Sequence, residues 1–400
     1  MSLEQRELRL GFIPLTDCAP LAAARELGFF EAEGLSVTLS REASWANIRD
    51  KVAMGALDGA HMLGPLPLAV SLGVSGQAAP MVAPLALNQH GAAITVSTEL
   101  AEAMRALDPQ AMAARPCTAA PLKALIDKRR AEGAPPLIFA VVFPFSSHNY
   151  LLRYWMAAAG IDPDRDVQVV VVPPPRMNAR LAAGEIDGFC AGAPWNDAAV
   201  AAGGAEILVH AAEIWRCGAD KVLGLRADWA RDKPLTLRAL LRALLKAGAW
   251  CDSPEGRAEL PELLAGGAYL DVPSPVVARA LGQGEEAIVF HRFAASFPWR
   301  SHAVWFLTQM RRWGQIGADI DIPAAAEAVY RPDLYRAAAA EAGVPAPLVD
   351  EKVDGLHAGD WTLDEATAPI AMGPDLFFDG RAFDAAQPDR YLAGFEIARR

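Results

Sequence analysis

Within the stretch EASWANIRDKVAMGALDGAHML (42–63), Trp45 stands where a helix should begin, after Ser44 as a candidate N-cap and before small or polar residues. A first-turn position meets solvent or a ligand, and an indole there offers a rigid wall and one N–H donor. Taken alone, a tryptophan at such a place is more often core packing. Two further stretches hold comparable positions. Ser146–Ser147–His148 opens one predicted helix and Pro194–Trp195 another. Hydroxyl, imidazole and free backbone N–H groups at a helix start suit an anion. Asp17–Cys18 follows the first strand and can line the same region. His61, in GAHML, reads as a buried, hydrogen-bonded strand residue.

No catalytic set accompanies these residues. There is no GxSxG, HExxH, P-loop or dinucleotide-binding fingerprint. The five cysteines (Cys18, Cys117, Cys190, Cys217, Cys251) are odd in number and lack CxxC spacing, which argues against a disulfide framework or a zinc site. Asp162, Asp164 and Asp166 read as a solvated turn without calcium-loop spacing. The expectation is a binding protein, not an enzyme, with no cofactor and no metal.

The elements that must position these residues alternate. Strands at 8–13, 35–41 and 59–63 enclose helices, and the pattern resumes with strands at 137–143, 166–172, 186–190 and 205–209. Such alternation implies α/β lobes with mainly parallel sheets flanked by helices. The expected architecture has residues 1–104 with 231–400 in lobe one and residues 105–230 inserted as lobe two, with crossings near 98–108 and 225–235. The C-terminal third is mostly helical. Its tail, 344–400, is rich in Pro, Gly and Asp and reads as a wrap over the surface. Ligands of such sheets lie beyond the carboxyl ends of strands, here the cleft between lobes.

Composition bounds the partners. The chain has 400 residues, 52% hydrophobic and 21% charged, with a formal net charge of −11. That is globular, and it argues against a nucleic-acid partner or an anionic membrane surface. A small anion needs only one local cationic pocket. No apolar run reaches the ~18 residues of a transmembrane helix, and no signal is seen before the first strand. A cytoplasmic protein is therefore expected, with the periplasm as the alternative if a signal has been removed.

Four stretches carry a resemblance: LGFIPLTDCAPLAAARELGFFEAEGL (10–35), the Trp45 segment (42–63), HNYLLRYWMAAAGIDPDRDVQVVVVPPPRMNARLAAGEIDGFCAGAPWN (148–196) and KVLGLRADW (221–229). SHAVWFLTQMRRWG (301–314) and FFDGRAFDAAQPDRYL (377–392) extend it over nearly the whole chain. The chain resembles the nitrate/nitrite-binding proteins of nitrate/bicarbonate ABC importers, including the related cytoplasmic nitrate/nitrite sensors. The resemblance implies a two-lobed periplasmic-binding-protein fold with an oxyanion between the lobes. It implies ligand contacts from Trp45, His148 and Lys221. Where the family carries an amide before its ITVS strand, this chain has Ala92, so Gln89, His90 and Gly91 are the candidates there. The usual Gly-Gly-Thr before the histidine is replaced by Phe145–Ser146–Ser147, which adds Ser147 to the expected site.

Nitrate is a flat monoanion with three acceptor oxygens, so its site needs converging donors, a positive charge and a cover. Lys221 supplies charge, His148 and Ser147 supply donors at a helix start, and Trp45 supplies the cover. Lys221 also speaks against bicarbonate with calcium, because the bicarbonate-binding relatives carry an acidic residue there. The implied partners are an antiterminator-type response regulator for a sensor, or an ABC permease for an exported receptor. An enzyme of another class, a pyrimidine-precursor synthase of the same two-lobed shape, would use His61 or Lys221 beside a phosphorylated cofactor.

Overall fold

The computed structural model describes residues 2–399. Ten strands form two five-stranded sheets. The first holds β1 (Glu7–Phe12), β2 (Ser36–Arg41), β3 (Gly59–Leu63), β4 (Met81–Gln89) and β10 (Ala219–Arg226), in the order β2-β1-β3-β10-β4. The second holds β5 (Ala92–Ser97), β6 (Ile138–Val141), β7 (Gln168–Val171), β8 (Gly188–Gly192) and β9 (Ala205–His210), in the order β7-β6-β8-β5-β9. In each sheet three neighbouring strands pair in parallel, and a fourth points the same way across one reversed strand. β10 is antiparallel to β3 and β4, and β5 is antiparallel to β8 and β9.

The chain crosses between sheets at two places other than those expected. It leaves the first sheet at His90–Gly91 and returns through residues 211–218. β5 therefore belongs to the second sheet, although it was assigned to residues 1–104. β10 belongs to the first, although all of it lies within the span 105–230 expected for lobe two. Each enters its sheet antiparallel, as a neighbour that strand-helix alternation does not foretell.

Helices cover both sheets. The Trp45–Ala53 helix is capped by Ser44, whose Oγ accepts from Asn47 N at 3.2 Å. Trp45, Ile48 and Val52 form its buried stripe at helical spacing. Gly11 lets that helix settle on the sheet, since a Cβ there would lie 2.6 Å from Leu57 and 2.8 Å from Ile48. The Ser147–Ala158 helix is capped by Ser146, which accepts from Asn149 N at 3.0 Å. The 19-residue helix Pro234–Asp252 packs against the first sheet's other face. The tail is indeed a wrap, tied to the second crossing. Phe377 stacks on Trp215 at 5.0 Å, and Phe378 N donates to Ile214 O at 3.0 Å.

Candidate functional site

The site residues gather at one end of both sheets. Asp17 lies in the short turn Thr16–Cys18 after β1, Trp45 follows β2, and Ser147 and His148 open the helix after β6. Gly192 ends β8. Lys221 lies in β10 opposite Leu63, the last residue of β3. These are carboxyl ends of parallel strands, together with the antiparallel strand that reaches the same edge.

Lys221 is wholly shut from solvent. Its Nζ donates to Asp17 Oδ2 at 2.7 Å and to Asp220 Oδ2 at 2.6 Å. Two of its three N–H bonds are thereby used. Burial alone would lower the Lys221 pKa, but the Asp17 and Asp220 charges override it and hold it above its usual value. Burial alone would raise the Asp17 carboxyl. The Lys221 charge, followed by His61, holds it well below the carboxylate range instead. His61 Nε2 lies 2.7 Å from Asp17 Oδ1, out of line for a straight N–H···O bond. His61 Nδ1 accepts from Ile13 N at 3.4 Å. His61 is thus the buried, partnered strand residue expected, and Asp17 joins the cluster.

Asp220 connects the two lobes. Its second oxygen accepts from Ser147 Oγ at 2.5 Å, across from the second lobe. Ser147 Oγ in turn lies 3.4 Å from His148 Nδ1. His148 is fully buried and its Nε2 has no hydrogen-bond partner. Burial pushes the ring's pKa down to about 4; Lys221 acts in the same sense, while Asp220 and Asp17 oppose it. A Cβ on Gly192 would lie 3.4 Å from His148 Nε2 and 3.5 Å from Asp17 Oδ2. Those two atoms therefore border one small space that glycine keeps open.

Trp45 completes the cluster. Its ring centre lies 5.9 Å from Lys221 Nζ and 5.4 Å from the His61 ring, and its indole N–H is buried without a partner. The N–H groups of Ser147 and His148, at the first helical positions, also make no hydrogen bond among the described residues. Donors without partners thus come from both lobes around one ammonium.

Trp45, Ser147, His148 and Lys221 meet as the sequence led one to expect. The other three do not join them. His90 sits at φ 67°, with Nδ1 3.0 Å from Ala287 O and Nε2 accepting from Cys217 N at 2.9 Å. Both ring nitrogens are occupied in pinning the crossing, so His90 has no donor left for an anion. Gly91 supplies the positive φ of the crossing and borders a separate cavity of about 400 Å³ with Asn196, Asp197 and Arg279. Gln89 is buried in β4, its side-chain oxygen unpartnered, and no bond links it to Lys221 or His148. Asp220 was missed. Its signal was a carboxylate directly before the lysine in an otherwise apolar strand.

Two α/β lobes joined by two crossings, with buried polar groups held between them at the strand ends, define a periplasmic-binding-protein fold. Residues 2–265 match the NMT1-like family, and the chain belongs to it. It is 35% identical to the nitrate/nitrite binding protein NrtA of Synechococcus elongatus, over 98% of this chain and 87% of that protein. It is 39% identical to the nitrate import ATP-binding protein NrtC of Synechocystis sp. PCC 6803, over 99% of this chain but only 56% of the length of that relative. The crystal structure of the periplasmic nitrate-binding protein NrtA from Synechocystis PCC 6803 superposes with a TM-score of 0.86 at 31% identity, covering 99% of this chain and all of that one.

Proposed function

We propose that the chain binds nitrate or nitrite between its lobes. The observation that carries this reading is the buried Lys221 ammonium beside donors that have no protein partner, the Trp45 indole and two helix-start N–H groups, with the unpartnered His148 Nε2 at the same place. Such groups are costly to bury unpaired. A planar acceptor-only anion matches the ammonium and the N–H donors. The likeness to NrtA over nearly the full chain supports the same ligand class.

Titration calorimetry with nitrate, nitrite, bicarbonate, sulfate and taurine tests it. Nitrate or nitrite is expected to give the strongest binding, and Trp45→Phe to weaken it about tenfold through loss of one hydrogen bond to a charged group. Tight binding of taurine or bicarbonate with no nitrate signal overturns the reading.

The setting of that binding is a separate question. The relatives' names support a receptor that delivers the anion to an importer. The sequence led instead to a cytoplasmic sensor acting on an antiterminator-type regulator. No helix among the described residues is long and apolar enough to cross a membrane. Fractionation of the native host decides: a mature periplasmic form assigns it to import, a cytoplasmic pool to sensing.

A further inference from the structure

We propose that the anion binds together with one proton, which His148 Nε2 takes up from solvent as the anion enters. This rests on the anion-binding reading above and adds the protonation state of the bound complex.

The hydrogen bonds fix the tautomer. Ser147 has one hydroxyl hydrogen, and it is spent on Asp220 Oδ1 at 2.5 Å. Toward His148 Nδ1, 3.4 Å away, Ser147 Oγ can therefore only accept. Asp220 Oδ1, 4.0 Å from the same nitrogen, is also an acceptor. Nδ1 must carry the proton. In a neutral imidazole Nε2 then presents a lone pair. Nε2 is the nitrogen left unpartnered beside the space kept by Gly192. An anion's oxygen placed there would meet a lone pair unless a second proton arrives.

Charge points the same way. Asp17 and Asp220 face one ammonium, Lys221. His61 Nδ1 accepts from Ile13 N, so a proton of that ring lies on Nε2, toward Asp17. With His148 neutral, Asp17, Asp220 and Lys221 together carry one net negative charge before any anion enters. A second negative charge in a dry site is opposed strongly. Proton uptake removes that excess and turns Nε2 into a donor in the same event.

No other nearby group does this job. The charged groups that act on the ring are Asp220 and Lys221 from β10 and Asp17 from the turn after β1. Cys190, on the adjoining β8, is kept as a thiol by burial. The helix of His148 also packs on β5, on the turn Ala211–Ile214 and on the Arg300–Arg312 helix. β5 has no titratable residue. Glu213 accepts from His210 N, His302 lies by Asp354, Arg300 pairs with Asp350, Arg311 with Asp389, and Arg312 lies over Phe395.

Nitrate titrations at pH 7 in buffers of different ionisation enthalpy read the proton directly. The observed heat plotted against buffer enthalpy is expected to give a slope of about one proton per nitrate, and affinity to fall about tenfold per pH unit on raising the pH. Nitrogen NMR of ring-labelled protein is expected to show one of the seven histidines becoming imidazolium on nitrate addition, with that signal absent in His148→Gln. Nitrate binding with zero slope overturns the inference and leaves the anion reading standing. No nitrate heat in any buffer overturns the reading itself. A slope of one without a His148 imidazolium signal, or one that persists in His148→Gln, places the proton elsewhere and also overturns it. Should His148→Gln fail to bind or fold, the slope and an imidazolium signal that shows couplings to the Ser147–Asp220 neighbourhood in the unsubstituted protein still decide.

Discussion

Lys221 Nζ and Asp17 Oδ2 meet at 2.7 Å with neither side chain more than 1% exposed, and Asp220 holds the same ammonium from the other side at 2.6 Å. The cation expected to wait for an anion is thus already paired twice. Lys221→Glu would remove the counter-charge that both carboxylates share. In the structure such a change would bury three carboxylates together.

The first prediction follows from that burial. Lys221→Met leaves Asp17 and Asp220 without a counter-charge, and removing one member of a buried ion pair costs about 3–5 kcal/mol. Urea unfolding should show this loss, and calorimetry should show no nitrate binding. The pH dependence has a defined sign. Asp17 is held low, so its share of stability is present above the ordinary carboxylate range and is lost only as pH falls well below it. Lys221 is held high, so its share is full at neutral pH and is lost as pH rises through its raised value. The pair's share of the parent's stability should therefore stay flat over roughly pH 5–9, whereas in the variant burial raises the uncompensated carboxylates, so the loss should shrink as pH falls. A parent whose own stability drops because of this pair within that window would show that the pair is not ionised as described.

Asp17→Asn separates stability from binding. The amide oxygen can still accept from Lys221, but the charge is gone. Loss of a charged hydrogen bond should cost about 1.5–3 kcal/mol in unfolding experiments. Nitrate affinity at pH 7 should move the opposite way and tighten about tenfold, because one negative charge near the anion has been removed. Weaker binding in a folded Asp17→Asn protein would mean that Asp17 matters chiefly by aiming Lys221.

Gly192→Ala tests the space beside His148. The added Cβ would meet Leu15 at 3.3 Å, His148 Nε2 at 3.4 Å and Asp17 Oδ2 at 3.5 Å. Those contacts are tight but not forbidding, and alanine also restrains the unfolded chain. Stability should change by no more than about 1 kcal/mol. Nitrate binding should fall about tenfold or more, because the methyl group fills the room next to the unpartnered nitrogen. Unchanged affinity would place the anion elsewhere.

The site was legible in part, for reasons that particular residues make plain. Trp45, Ser147 and His148 sit at helix starts after parallel strands, and local sequence marks such places through caps and spacing. Asp220 was hidden by strand geometry. Neighbours in a regular strand point to opposite faces, so Asp220 and Lys221 should not meet. β10 shifts register against β4 on both sides of Lys221, and that irregularity brings the two side chains to one ammonium-carboxylate contact. The alternation of strands and helices announced two α/β lobes. It could not announce that β5 and β10 each belong to the other lobe's neighbour in sequence, because sheet membership is a non-local pairing. His90 looked like a ligand from its place in the chain, while its partners, Ala287 and Cys217, lie far along it.

His90 accordingly gives a prediction about structure alone. His90→Asn tolerates the left-handed backbone but loses the bonds to Ala287 O and Cys217 N. Thermal or urea unfolding should show a loss of about 1–3 kcal/mol. Nitrate affinity should stay within about twofold of the parent. A large affinity loss at full stability would return His90 to the site.

The last prediction concerns closure. The lobes touch directly beside the cluster: Thr16 N donates to Ala193 O at 2.9 Å, and Trp195 Nε1 donates to Pro14 O at 3.0 Å. Pro14 and Thr16 follow β1 of the first sheet, while Ala193 and Trp195 follow β8 of the second. Lys221 and Trp45 lie on the first lobe, and Ser147 and His148 on the second, so an anion reaches all its donors only when these contacts form. Ligand should favour this shut arrangement by its differential affinity and no more. Trp195→Phe keeps most of the packing and removes one interlobe hydrogen bond that exists only when the lobes are together. A bond of about 1 kcal/mol weakens the shut state against the open one, so nitrate affinity should fall about fivefold without touching any donor to the anion. X-ray scattering should show the nitrate-free variant more expanded than the nitrate-free parent, with both reaching the same compact profile at saturation. If affinity drops while the two free proteins scatter alike, Trp195 acts on the anion itself and not on the hinge.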